Sequence, residues 1–153
     1  MKTLIVLYSH HHMNTEKVAQ TIAKILEAEI KTPQQADPAS LSAYDLVGFG
    51  SGVYYSKLGK TLIDFADKIP QVAGKKAFIF STSGRTGKVV EKFHRPLKEM
   101  LQSKGFDFVG EFNCAGFDTV SIFKIVGGVN KGRPNEEDLK RAEEFALKLK
   151  QEG

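Results

Sequence analysis

Short β-prone runs alternate with segments whose apolar residues recur every three or four positions. That alternation restricts the possible folds more than any other feature of the chain. Thr3 to Tyr8 is an unbroken β-prone run, short enough for a strand buried on both faces. Val18, Ile22, Ile25 and Leu26 form one apolar stripe, which predicts a helix over roughly residues 15–29. A second strand has room only near Ile30 to Thr32, because residues 33–43 carry Pro33, Pro38 and several small polar residues. Leu46 to Gly50 is a further apolar run, followed by an expected loop from Gly52 to Leu58. Leu62, Ile63, Phe65, Ala66 and Ile69 mark a helix that ends before Pro70. Ala77 to Phe80 is another buried strand, and Ser81 to Lys88 a second glycine- and hydroxyl-rich loop. The helix after it turns Leu97, Met100 and Leu101 inward, with Pro96 as a candidate break and Gly105 as its stop. Phe106 to Cys114 alternates as a strand does, and residues 115–134 are irregular. A last helix begins near Pro134-Asn135-Glu136-Glu137, with Asn135 as its cap and acids in the first turn, where the dipole favours them.

This order of elements predicts an α/β fold, a parallel sheet covered by helices on both faces. The length of 153 residues suits one domain over 1–153. Ligands of such sheets bind outside the carboxyl ends of the strands, at the topological switch point. Three loops therefore belong together: Ser9 to Thr15, Gly52 to Leu58, and Ser81 to Lys88. The formal charge of +4 does not point to nucleic acid, because the bases are dispersed among acids, as in Glu136-Glu137-Asp138-Leu139-Lys140-Arg141. No apolar run reaches the roughly 18 residues of a membrane span, and the single lysine and short β-rich run at the start, with no small-residue cleavage site, lead us to expect no signal peptide. A single cysteine, Cys114, excludes an internal disulfide and fits a cytoplasmic setting.

In the first loop, Asn14 and Thr15 stand where a helix begins, and the unpaired amides of such an end attract anions. Side-chain capping without any ligand explains these residues equally well. No Walker or dinucleotide fingerprint is present, since the loop contains no glycine. His10, His11 and His12 have three readings. A tag is disfavoured by their place between a strand and a helix. A metal site lacks Cys, Asp or Glu in the loop to complete a shell. The preferred reading is that they line an anion or ring pocket. Tyr54 and Tyr55 at a strand end suit either stacking on a planar ligand or packing over the sheet edge. Ser81 to Gly84 offers small residues and backbone amides to a flat polar ring, with Arg85 and Lys88 at the rim.

Taken together, these loops resemble the flavodoxin-like family. "YSHHHMNTEKVA" is similar to its phosphate loop, "GSGVYYSKLGKTLIDF" to its second flavin loop, "STSGRTGK" to its third and "GRPNEEDLKRAEEFA" to its last helix. The resemblance spans essentially the whole chain. It implies a three-layer fold with a five-stranded parallel sheet of order 2-1-3-4-5 and non-covalently bound FMN. By matching position, Ser9, His10, His11, His12, Met13, Asn14 and Thr15 would hold the phosphate. Gly52, Val53, Tyr54, Tyr55 and Ser56 would flank the isoalloxazine. Ser81, Thr82, Ser83 and Gly84 would face its polar edge, and Cys114 to Asp118 would approach the same crevice. The chain departs from the usual phosphate motif at Met13, where a glycine is expected, and at His12, where a threonine is. Its basic balance also departs from the acidic surface of typical electron-carrying members.

The resemblance implies an electron-transfer protein whose partner is a redox protein or a small-molecule acceptor. The alternative is an FMN-dependent NAD(P)H oxidoreductase of quinone or porphyrin type, with Arg85 and Lys88 attracting an anionic substrate. A receiver-type module is disfavoured, because it needs acids where Tyr8-Ser9-His10 stands. A metal-binding domain built on the histidines is a further minor reading. No residue is assigned a catalytic acid or base role.

Overall fold

The computed structural model describes residues 1–9, 14–54, 57–116 and 133–152. Its elements in chain order are β1 (Thr3–Tyr8), α1 (Asn14–Leu26), β2 (Glu29–Lys31), a 3-10 helix (Pro38–Ala43), β3 (Leu46–Tyr54), β4 (Lys57–Leu58), α2 (Lys60–Asp67), β5 (Lys76–Ser83), α3 (Val89–Ser103), β6 (Asp107–Ala115) and α4 (Glu136–Glu152). Five strands pair in parallel in the order β2-β1-β3-β5-β6, and β4 folds back antiparallel on the end of β3. Counting only the parallel strands, this is the expected 2-1-3-4-5 sheet.

The strand pleat sorts the apolar residues onto two faces. Leu4, Val6, Val47, Phe49, Ala77 and Ile79 meet α2 and α3 through Leu62, Phe65, Ala66, Leu97 and Leu101. Ile5, Leu7, Phe78, Phe80 and Cys114 meet α1 and α4 through Val18, Ala19, Ile22, Ala142 and Ala146. Each central strand is buried on both sides, which is why it reads as a continuous apolar run and not as an alternation. Burying such a side chain contributes about 1.5–3 kcal/mol apiece before the entropy cost of ordering it.

Several boundaries differ from expectation. The helix after β1 ends at Leu26, and Glu27 then adopts a positive φ of 54°, which closes it three residues early. The segment from Gly52 is strand before it is turn: β3 continues to Tyr54 and returns as β4, with Val53 paired to Leu58 and Tyr54 to Lys57. Likewise β5 runs to Ser83, so Ser81 to Ser83 are strand residues held between β3 and β6. Hydroxyl-rich composition misleads here because parallel neighbours on both sides satisfy the backbone whatever the side chains. Pro96 does not break α3. Pro96 and Lys92 are both exposed, so water takes up the carbonyl that the proline leaves unbonded.

One irregularity positions the site. Between Ala77 and Phe78 the register with β6 shifts by one residue, so Ala77 opposes Phe108 but Phe78 opposes Gly110. Beyond this bulge Glu111 lies opposite Ile79 and Asn113 opposite Ser81. A one-residue shift exchanges the faces of a strand. Phe106 and Phe108 therefore pack toward α3, while Phe112 and Cys114 pack toward α4.

Candidate functional site

The carboxyl ends of β1, β3, β5 and β6 converge around the start of α1. Asn14 and Thr15 open that helix, and both are buried. Thr15 Oγ1 lies 2.8 Å from Thr82 Oγ1, a buried hydrogen bond that ties α1 to the end of β5. The end of β6 closes over the same place: a Cβ on Gly116 would fall 2.9 Å from Asn14 Nδ2 and 3.1 Å from Thr82 Cβ, closer than a side chain tolerates. Ser9 follows β1, and its Oγ is buried with no hydrogen-bond partner among the described residues. Of the expected phosphate loop, Asn14 and Thr15 open the helix mouth, and Ser9 follows the strand that leads toward it. His10, His11, His12 and Met13 lie outside the described residues.

The second group stands on the hairpin. Ser51 Oγ donates to the Gly52 carbonyl at 2.6 Å and accepts the Gly59 N–H at 2.8 Å, which fixes the hairpin to the start of α2. Tyr54 lies half-buried, its ring edge-on to Tyr8 at 6.1 Å and 80°. Its hydroxyl bends back over Gly52, where a Cβ would come within 2.8 Å. Val53 is also half-buried, and Tyr55 and Ser56 lie outside the described residues.

The third group divides between the faces of the sheet. Thr82 points to the α1 side, while Ser81 and Ser83 point to the α3 side. Ser83 Oγ bonds the Arg85 carbonyl, and Gly84 begins the loop whose Arg85 and Lys88 are exposed. Ser81 Oγ lies 2.6 Å from His94 Nε2, and His94 Nδ1 lies 2.9 Å from Glu111 Oε1. Asn113 Nδ2 donates to Ser81 Oγ at 2.9 Å and to Ser83 Oγ at 3.1 Å. His94 is 1% exposed. Burial pulls its imidazole below the ordinary value of 6.5, opposed by the hydrogen bond and charge of Glu111.

This chain of side chains escaped sequence reasoning. One signal was available: Val90, His94, Leu97 and Leu101 share one helical face, so His94 sits in an inward register. Its partners on β6 depend on the bulge and could not be read locally. Cys114 does not enter the crevice by its side chain. It is buried against α1 and α4, where burial pushes the thiol up to about 12. Phe117 and Asp118 lie outside the described residues.

The start of α4 is built as expected and more strongly. Asn135 Oδ1 accepts the Asp138 N–H at 3.0 Å while Asp138 Oδ2 accepts the Asn135 N–H at 2.8 Å, a reciprocal cap. Arg133 and Arg141 also bond Asp138, at 2.5 and 2.9 Å. The Arg133 guanidinium above all holds the Asp138 carboxyl down at about 2. Among the described residues no group of His, Cys, Asp and Glu could hold a metal ion, and no helix is long and apolar enough to cross a membrane.

Fold and site together define an open α/β protein whose polar crevice lies at the carboxyl edge of a parallel sheet, beside a helix N-terminus. Residues 5–125 match the family described as Flavodoxin domain, and the chain belongs to that family. It is 50% identical over 149 residues to an uncharacterized protein of Methanocaldococcus jannaschii, covering 97% of this chain and 98% of the relative. Its fold is similar to oxidised Flavodoxin 2 from Bacillus cereus, with a TM-score of 0.75 at 22% identity over 100% of both chains. It is similar also to the Fusobacterium nucleatum flavodoxin bound to flavin mononucleotide, with a TM-score of 0.67 at 14% identity over 99% of both.

Proposed function

We propose that the whole chain, 1–153, acts as one flavodoxin-like domain that binds FMN non-covalently at this crevice and transfers electrons to a redox partner in the cytoplasm. The observation that carries the reading is at the end of β1, which leads toward the α1 mouth: Ser9 Oγ is buried there without a partner among the described residues. An unpaired buried hydroxyl costs about 1–3 kcal/mol, and an anion accepting from it would remove that cost. The residues present fit a phosphate monoester. The α1 amides carry partial positive charge and Asn14 and Thr15 add polar side chains, while the one acid of the first turn, Glu16, is half-buried and takes a hydrogen bond from Gln20 one turn further along the helix.

In this reading Ser9, the 10–13 loop, Asn14 and Thr15 hold the phosphate. Val53, Tyr54, Tyr55 and Ser56 flank the ring from the hairpin, which the Ser51 hydrogen bonds keep rigid. Thr82, Ser83 and Gly84 approach the polar edge mainly through backbone groups, while the hydroxyl of Ser81 acts from behind them. When bound, FMN supplies the one- or two-electron chemistry. The chain's own residues bind it, orient it, exclude water from one side and set the charge around it. Apoprotein titrated with FMN should quench flavin fluorescence and release heat with a submicromolar dissociation constant, roughly −8 kcal/mol or stronger. Saturating FMN without heat or quenching overturns the reading.

A second reading, an NAD(P)H-dependent reductase, is favoured by Arg85 and Lys88, both exposed beyond the third loop. Arg85→Glu should then raise the KM for an anionic acceptor about tenfold with little change in kcat, as expected when a ground-state ion contact is lost.

A further inference from the structure

We infer that Ser81, His94, Glu111 and Asn113 form a proton-accepting relay that ties the protonation of His94 to the redox state of a flavin at the crevice, and this rests on the FMN reading above. Hydrogen-bond direction orders the relay. Glu111 Oε1 accepts, so the hydrogen between it and His94 lies on Nδ1. Burial disfavours a second ring proton, so Nε2 accepts from Ser81 Oγ, whose lone pairs take the Asn113 Nδ2 donation. His94 is therefore neutral with its hydrogen on Nδ1, and it holds one open proton site at Nε2. The sequence of hydroxyl, imidazole and carboxylate resembles a hydrolytic triad. Ser81 is fully buried, however, so no acyl group can reach its oxygen.

The relay reaches the crevice through consecutive residues. Ser81 joins it on one face of β5, and Thr82 on the other face bonds Thr15 at the α1 mouth. It reaches solvent through a cavity of about 340 Å³ lined in part by His94, Glu111 and Asn113. Among the described residues, the charged groups that line that cavity with His94 are Glu111 from β6, Glu91 from its own helix, and Arg133 and Arg141 from the α4 end. Both arginines are bonded to Asp138. Arg95 and Lys98 border Glu111 from the adjoining cleft. β5 presents only the Ser81 hydroxyl. An added negative charge at the crevice favours the imidazolium, which Glu111 is placed to stabilise. The balance is one electron from an external low-potential donor and one proton from solvent. The proton ends on His94 Nε2, and the Ser81 hydrogen turns away from it.

The test begins with FMN binding to the wild-type protein by fluorescence quenching; absence of binding removes the FMN reading and this inference with it. Midpoint potentials are then measured at successive pH values for wild type, His94→Gln and Glu111→Gln, with folding checked by circular dichroism. The wild type should show a window where the electron affinity changes up to tenfold per pH unit, about 59 mV for one electron. His94→Gln should lose that window, and Glu111→Gln should move it to lower pH. Nitrogen NMR should show the Nδ1–H tautomer in the ligand-free protein and about tenfold tighter proton binding at His94 after dithionite reduction of the loaded protein. Bound FMN with equal pH slopes in wild type and His94→Gln overturns the relay and leaves the FMN reading intact; so does unchanged His94 protonation on reduction. Should His94→Gln fail to fold, Glu111→Gln and the NMR measurement decide the matter alone.

Discussion

The two faces of the sheet at the end of β5 are built from opposite materials. On the α1 face, Thr82 meets Thr15, Asn14 and Gly116, a set of hydroxyl, amide and backbone groups with no titratable side chain among them. On the α3 face one residue earlier, Ser81 meets His94, Glu111 and Asn113, a set that can take up and hold a proton. The described groups of the first face are fixed dipoles, whose own attraction for an anion does not change across ordinary pH. The second offers a charge that depends on pH. Binding and tuning are thus separated by the thickness of one strand. A substitution on one face should leave the other's property largely intact.

That separation can be broken from either side. The largest effect is expected from Thr15→Asp, which sets a carboxylate against the phosphate: FMN affinity should fall about 100-fold or more, roughly 3 kcal/mol, as measured by calorimetry. A protein that still purifies with full flavin content would remove the α1 face from phosphate binding. Ser9→Ala should act with opposite signs on two measurements. Apoprotein stability in urea should rise by about 1 kcal/mol as the unpaired hydroxyl is lost, while FMN affinity falls about tenfold. A change of the same sign in both would mean that Ser9 serves only packing.

The smallest effect belongs to the α3 face and concerns stability. His94 binds its proton less readily folded than unfolded. The stability contributed by the neutral form is therefore complete above about 6.5, the ordinary histidine value, and is lost as pH falls toward the lowered folded value. Between pH 7.5 and 5 the wild-type melting temperature should fall about 3 °C more than that of His94→Gln, on the usual scaling for a chain of this size. Equal falls would place the acid sensitivity elsewhere. Asp138, with its carboxyl held at about 2, contributes stability that is lost only below pH 4 and so does not confuse the comparison.

How much was legible beforehand follows the same division. The Asn14-Thr15 helix start and the three loops were visible because helix starts and strand ends carry local chemistry. Ser81 and Thr82 were assigned together to one loop facing one ligand. The structure keeps them in β5, pointing apart. The hairpin from β3 to β4 was invisible, since Gly52 to Leu58 carries turn-like composition and only pairing with Lys57 and Leu58 makes a strand of it. His94 could have been flagged from its helical face, but its partners could not.

The chain's own pattern determined the α/β alternation, the buried central strands and the helix whose mouth opens on the crevice, because periodicity and capping are properties of neighbours in sequence. Only the tertiary structure decided which side of the sheet Glu111 and Asn113 face. Read as an uninterrupted alternation, Phe106, Phe108, Gly110, Phe112 and Cys114 would share one face. The one-residue shift opposite Ala77 and Phe78 exchanges the faces midway and brings two polar side chains to His94 and Ser81. Register is set by how a strand packs against distant elements, and a single inserted residue reverses everything beyond it.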